Sequence, residues 1–341
     1  MRSYTKCLQE GEEMTGQKKI KILAIVGPTA SGKTALSVAL AQRLGGEIVS
    51  CDSMQVYRRM NIGTAKPTEE ERCGVPHHLI DAVEPSVAFS CADYVTMAGE
   101  AVKEIAARQK LPILCGGTGL YLDRFLCGEM EETHADEELR ASLFAFAAEN
   151  GAHALHERLR AVDPQSADAI HENNVKRVVR ALEIFEQTGI PKSEFDRRSQ
   201  VGESPYDALV IGLRYPRREV LYDRINRRVD MMMEDGLLAE TKQLLEEGVF
   251  DVNLTAAQAI GYKELLGYLR GEETLAEAAE NLKTATRRYA KRQLTWFTAK
   301  PYVVWVDMER DGALRSLDDV CEEIVSLFFS GTDASQGEVE T

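Results

Sequence analysis

Apolar residues cluster in five short, unbroken runs at 20–26, 46–51, 111–115, 207–213 and 302–307. Such runs are too short for helices and lack the polar alternation of a half-exposed strand, so they predict strands buried on both faces. Between them apolar positions recur at helical spacing over 32–44, 93–109, 118–126, 217–234, 236–247, 256–269 and 273–299, with a last helix near 315–329. Strands alternating with helices need crossover connections, which predicts an α/β fold with a parallel sheet covered by helices on both sides.

One interval breaks the alternation. Residues 133–205 hold only helical stretches punctuated by Asn150-Gly151, Pro164 and Gly189-Ile190-Pro191. It is expected to be an all-helical insertion in a core made of 18–132 and 206–329. The polar ends, 1–17 and 330–341, are expected to be disordered tails.

Composition changes this picture little. Charged residues make up 28% of the 341 and no apolar stretch is long enough to span a membrane, which predicts a cytoplasmic, membrane-free protein, while the oligomeric state, with a monomer as the default, is not set by the sequence. The N-terminal segment lacks the apolar core of a signal peptide, and Met14 offers a second start. Seven scattered cysteines without a C-x-x-C pair predict buried, reduced thiols and no zinc site. His77 and His78 have no further ligands at useful spacing and are expected to be structural.

Charge distribution is more informative. The net charge of −14 argues against general nucleic-acid binding, yet residues 282–300 carry six Lys/Arg and no acid. Residues 214–228 carry six Arg against two acids, and Lys176, Arg177 and Arg180 lie in the insertion. These segments form a polyanion surface or, as a plainer alternative, helix faces laced by ion pairs.

The sharpest chemical signal is "GPTASGKT" at 27–34, after the first strand and before the first helix. This is the nucleotide-binding P-loop pattern, which wraps an anion in backbone N–H groups from Gly27 through Thr29, Ala30, Ser31 and Gly32. Lys33 supplies a point charge, and the Thr34 hydroxyl is the expected ligand of Mg²⁺. The strand "LPILC" ends in Gly116-Gly117-Thr118, where an NTPase would carry a metal-holding acid, and no base-reading N-K-x-D follows. Instead "EIVSC" delivers Asp52, followed by Ser53, Met54 and Gln55, at a strand end beside the loop, where doubly wound sheets bind substrates. Asp52 is a general base or, alternatively, a turn-capping residue.

To these add "SCDSMQVYRRMNIGTAKP", "HHLID", "GGTGLY", "RALE", "LYDRINRRVDMMMEDGL", "AIGYKE" and "RRYAKRQLTWF". In this order, over residues 20 to 307, the chain closely resembles the tRNA dimethylallyltransferase (tRNA isopentenyltransferase) family. The resemblance implies a P-loop NTPase-like core and transfer of a dimethylallyl group from dimethylallyl diphosphate to N6 of adenosine 37 in the tRNA anticodon stem-loop. The cradled phosphate is then a diphosphate. Asp52 would be the base; Thr118, placed by flexible glycines, would be a donor to the diphosphate or, compatibly, the N-cap of a helix over 119–126; Arg224, picked from its neighbours by the family motif, would be a cation for the leaving group or, on the residues alone, an exposed i,i+4 ion-pair partner. A flipped adenine would be read by the turn Asp52, Ser53, Met54 and Gln55, with the Gln55 amide on a base edge. Lys176, Arg177, Arg180, Arg287, Arg288, Lys291 and Arg292 would hold RNA phosphates. Tyr289, Trp296 and Phe297 are either stacking surfaces for RNA bases or a core-facing stripe.

A small-molecule kinase, an NTP-gated RNA-binding module and an adenylate isopentenyltransferase remain as alternatives. ATP consumption, tolerance of Asp52 loss and use of a free nucleotide separate them.

Overall fold

A computed structural model describes residues 19–127, 136–198, 204–253 and 255–333. Most of the expected tails therefore lie outside the described residues, as do parts of both edges of the insertion. The chain divides into two compact units, one ending at 126 and resuming at 205, the other spanning 127–204.

The larger unit is built on six parallel strands: β1 (Ile20–Val26), β2 (Gly46–Cys51), β3 (His77–His78), β4 (Leu111–Gly116), β5 (Tyr206–Arg214) and β6 (Val303–Asp307). They lie in the order β3-β2-β4-β1-β5-β6. Along β1, Ile22, Ala24 and Val26 enter one core while Leu23 and Ile25 enter another. Side chains alternate across a strand, so an all-apolar strand needs a core on each face. Of the helices α1 (Lys33–Leu44), α2 (Glu69–Arg72), α3 (Cys91–Ala107) and α4 (Gly119–Cys127), all but the polar single-turn α2 pack into those cores.

The smaller unit is helical: α5 (Glu137–Val162), α6 (Pro164–Ala169), α7 (Val175–Thr188) and α8 (Lys192–Arg198). Helix α5 is kinked at Gly151, whose φ of 88° is non-helical. Leu143, Leu155, Leu159, Val178, Val179 and Leu182 form this unit's own core.

After β5 follow α9 (Arg218–Glu234), α10 (Leu237–Glu246), α11 (Val249–Val252), α12 (Leu266–Leu269) and α13 (Leu275–Thr298). Past β6 come a hairpin, β7 (Glu309–Arg310) and β8 (Ala313–Leu314), and α14 (Leu317–Asp333). Three expectations need correction here. The helix expected over 256–269 is a single 3₁₀ turn at Ala256–Gln258, a loop, and the one-turn α12. Gly261 breaks it with a φ of 114°, and a Cβ there would meet the carbonyl oxygen of Gly63 at 2.9 Å. The last helix runs to 333, so residues 330–333 are helical. Cys73 is exposed, unlike the buried Cys51 and Cys321.

The edge strand β3 escaped the sequence because two residues carry no periodicity. His78 is held by Glu47 at 2.8 Å and His77 Nδ1 lies 2.8 Å from the Val75 carbonyl oxygen, so both histidines serve the sheet edge. Among the described residues no helix is long and apolar enough to cross a membrane.

Candidate active site

Strand register assembles the site. Val26 pairs with Gly116, which also pairs with Cys51, so three strands end in one row. The residues just beyond, Gly27, Gly117 and Asp52, therefore meet at the carboxyl edge of the sheet.

The phosphate loop leaves β1 and enters α1. Gly32 occupies the N-cap with φ 92°, and no side chain caps the helix. The first amides of α1 are thus open to an anion, aided by the helix dipole. Ala30 is held at φ 62°, an uncommon conformation for a residue with a side chain. Ser31 is fully buried and its hydroxyl has no partner, so only its backbone can serve a ligand. Lys33 Nζ donates to the Pro28 carbonyl at 2.7 Å. Burial pulls the Lys33 pKa down to about 8; Arg228 pushes it the same way, while Cys115 and Asp52 oppose.

Asp52 takes the turn-capping role, one of its two alternatives on sequence, with a single carboxyl oxygen. Its Oδ1 accepts from the N–H groups of Met54 and Gln55, at 2.9 and 3.3 Å, and so caps the turn. Among the described residues its Oδ2 has no hydrogen-bond partner. Burial raises its pKa above the ordinary aspartate value, opposed by those two N–H groups and by Lys33. A raised pKa makes a carboxylate a stronger base.

Both groups open into one cavity of about 310 Å³. Its polar lining includes Thr29, Lys33, Thr34, Asp52, Ser53 and Arg228; its apolar lining includes Met54, Val229, Met232, Ile260 and Leu282. The loop that replaces the expected helix contributes Gln258 to Gly261, and α13 contributes Thr286, Tyr289, Arg292 and Gln293.

Four expectations change on this geometry. Arg224 is not part of the cavity wall; its Nε donates to the Ala30 carbonyl at 2.9 Å, its guanidinium lies 5.6 Å from the Tyr215 ring, and its Nη2 would lie 3.8 Å from a Cβ on Gly32, so it braces the loop backbone beside that N-cap. Arg228, one turn on, lines the cavity with no hydrogen bond or ion pair among the described residues; burial lowers its pKa, as does Arg224, while Glu71 opposes. The sequence offered several arginines here and no way to see which faced inward. Thr118 is likewise outside the cavity wall: its Oγ1 accepts from the Ser53 N–H at 3.1 Å, which fixes the turn after Asp52. Gly116 and Gly117 are there for close approach, since a Cβ would lie 2.0 Å from the Cys51 carbonyl oxygen at the first and 2.1 Å from Gln293 Nε2 at the second. Finally, Gln55 is not free to read a base edge. Its Nε2 donates to the carbonyls of Thr64 and Ala65, at 3.2 and 3.1 Å, and its Oε1 accepts from Ser50.

The basic candidates divide. Arg288, Lys291 and Arg292 are exposed on α13, as are Lys176 and Arg177 on α7. Arg287 is engaged with Asn226 at 2.6 Å, Thr284 and Glu280. Arg180 pairs at 2.7 Å with Glu183, which is completely buried and also bound by Arg140. The aromatic stripe splits too. Phe297 is core, Trp296 covers Gly119, and Tyr289 lines the cavity.

Among the described residues no three His, Cys, Asp or Glu side chains converge as a metal cage. Thr34 places one hydroxyl in the cavity wall. A single hydroxyl suits Mg²⁺, which keeps several waters and binds mainly through substrate phosphates.

Residues 55–300 match the family model described as IPP transferase. The chain is 53% identical over 291 residues to a tRNA dimethylallyltransferase of Halalkalibacterium halodurans, covering 85% of this chain and 92% of that one. It is 48% identical to the Acetivibrio thermocellus tRNA dimethylallyltransferase, covering 84% and 92%. Among solved structures, the full-length tRNA isopentenylpyrophosphate transferase of Bacillus halodurans aligns with a TM-score of 0.68 at 48% identity, over 93% of this chain and all of that one. A eukaryotic dimethylallyltransferase captured acting on tRNA aligns with a TM-score of 0.72 at 33% identity, over 84% and 74%.

Proposed function

Because the chain belongs to the IPP transferase family, we propose that it moves the dimethylallyl group of dimethylallyl diphosphate to N6 of adenosine 37, beside the anticodon of tRNA, releasing diphosphate. The observation that carries the choice of donor is a single small cavity that joins an open phosphate loop and two cations to an apolar wall and one carboxyl oxygen without a partner. At about 310 Å³ it sits at the small end of ligand cavities, roughly 300–1,000 Å³.

The amine of adenine is a weak nucleophile because its lone pair is delocalised into the ring. As N6 bonds to the allylic carbon and the carbon–oxygen bond to diphosphate breaks, the amine must lose a proton. Asp52 Oδ2 accepts it, help worth about 10²–10⁴ in rate. The leaving diphosphate gains charge as it departs. Lys33, Arg228 and the α1 amides meet that charge, and one cation at about 4 Å contributes about 4 kcal/mol at an effective dielectric near 20. Mg²⁺ held by Thr34 would neutralise further phosphate charge when bound. Arg224 supports the loop, and Thr118 the Asp52 turn. Lys176, Arg177, Arg288, Lys291 and Arg292 are the residues proposed to meet tRNA phosphates. The enzyme acts as a cytoplasmic monomer in this reading.

Labelled dimethylallyl diphosphate with Mg²⁺ tests it. Label should reach an unmodified tRNA without ATP, and pyrophosphate should inhibit. A requirement for ATP, or movement of its γ-phosphate to an acceptor, would overturn the reading in favour of a kinase.

A further inference from the structure

The buried stripe of α13 consists of Ala278, Leu282, Ala290, Gln293 and Phe297. One of these is polar. Gln293 is 5% exposed, and a buried amide needs partners for both ends. It finds them on two different loops at the carboxyl edge of the sheet. Its Oε1 accepts the N–H of Thr29, in the phosphate loop, at 2.8 Å. Its Nε2 donates to the carbonyl oxygen of Gly117, in the turn after β4, at 3.0 Å. A backbone N–H can only donate and a carbonyl can only accept, so these partners fix which way the amide points. Tyr289, one turn earlier on the same helix, lines the cavity.

We propose that Gln293 is a positioning residue of the donor site. It ties the phosphate loop to the Gly116–Thr118 turn and so fixes Lys33 and the loop amides relative to Asp52, whose turn Thr118 holds through Ser53. The proposal rests on the reading of the loop as a diphosphate site. The geometry around the tie leaves little slack. A Cβ on Gly117 would lie 2.1 Å from Gln293 Nε2, so the turn is pressed against the amide. Thr29 follows Pro28, whose carbonyl receives the Lys33 ammonium, so the two contacts on the loop are one residue apart. Loss of the tie frees Thr29 and the turn to shift, and a misplacement of about 1 Å at a reacting centre costs on the order of 10²-fold in rate.

Gln293→Met keeps length and burial while removing both hydrogen bonds. It should weaken pyrophosphate binding in the presence of Mg²⁺ by roughly tenfold and lower kcat by roughly 10²-fold. Affinity for the anticodon stem-loop should stay within about twofold of wild type. In a double-mutant cycle on kcat/KM with Lys33→Ala, the two losses should be less than multiplicative, because both act through the same loop. Gln293→Glu is the second variant. Its carboxyl accepts from Thr29 throughout but can donate to Gly117 only when protonated, so its activity relative to wild type should rise as pH falls. Unchanged pyrophosphate affinity and kcat in Gln293→Met, fully multiplicative losses in the cycle, or a flat pH ratio for Gln293→Glu would each overturn the positioning role. Failure of wild type itself to bind pyrophosphate would overturn the donor-site reading instead.

Discussion

Arg224 Nε donates to the Ala30 carbonyl at 2.9 Å, whereas Arg228, one turn further along the same helix, lines the cavity without a partner. The two side chains therefore have different surroundings, one bonded to the backbone of the phosphate loop and one facing the cavity.

From this division Arg228→Ala should lower kcat/KM for the donor by about 10²–10³, the usual cost of losing one preorganised group at developing charge. It should also raise the melting temperature of the ligand-free protein, since burial of an unpaired guanidinium is unfavourable. Arg224→Ala should lower that melting temperature and affect catalysis less. Steady-state kinetics beside thermal melts checks the pair, and equal kinetic losses would remove the distinction.

Asp52 and Lys33 give the pH dependence. Asp52→Asn should reduce transfer by about 10²–10⁴ with stem-loop binding unchanged. In the wild type, kcat/KM should rise with pH as Asp52 deprotonates, with the limb above the ordinary aspartate range, and fall near pH 8 as Lys33 loses its proton. In the profile of kcat the alkaline limb should move up, because bound diphosphate favours the ammonium. Stability follows the opposite sense. Lys33 titrates lower in the fold than its ordinary 10.5, so below pH 8 the folded state carries a charge that burial disfavours. Lys33→Met should then raise the melting temperature at pH 7, with the gain shrinking between pH 8 and 10.5. Melts across that range check the sign.

The five longer strands and the phosphate loop were legible in the sequence because each rests on local rules: an apolar run, or a spacing of glycines before a lysine. Asp52 was legible for the same reason, as the first polar residue after a buried strand. What the sequence hid depends on tertiary contact. Arg228 differs from Arg224 only in which face of α9 meets the sheet. Gln293 betrayed itself only as a polar residue in an apolar stripe, a signal visible along α13 but without a partner until the sheet was assembled. Residues 256–269 read as a helix because their apolar spacing suits one, and the contact of Gly261 with Gly63 overrides it.

Glu240 anchors the far wall of the cavity loop. Its carboxylate accepts from the N–H groups of Asn61, Ile62 and Gly63 at 2.9 to 3.1 Å and from the Tyr262 hydroxyl at 2.7 Å. Gly63, Thr64 and Ala65 follow directly and line the cavity. Hydrogen bonds to a charged group contribute about 1.5–3 kcal/mol, so Glu240→Ala should cost more than that in stability because three backbone N–H groups and the Tyr262 hydroxyl lose their acceptor. Tyr262→Phe removes one donor and should cost about 1 kcal/mol. Denaturant unfolding measures both, and an equal cost for the two would show that the backbone contacts contribute nothing.

In the helical unit, charge reversal separates RNA contact from folding. Lys176 and Arg177 are exposed at the start of α7, where neither has an ion-pair partner among the described residues, while Arg180 neutralises the buried Glu183 together with Arg140. Arg177→Glu should leave the melting temperature unchanged and weaken tRNA binding, reducing the salt slope by about one phosphate contact. Arg180→Glu places a second carboxylate against Glu183 and should destabilise the unit by on the order of 3 kcal/mol. Any loss of tRNA affinity in that variant then reflects unfolding. Circular dichroism melts with stem-loop titrations from 50 to 200 mM salt distinguish the two. If Arg177→Glu bound tRNA like wild type at every salt concentration, this face of α7 would not be part of the RNA surface.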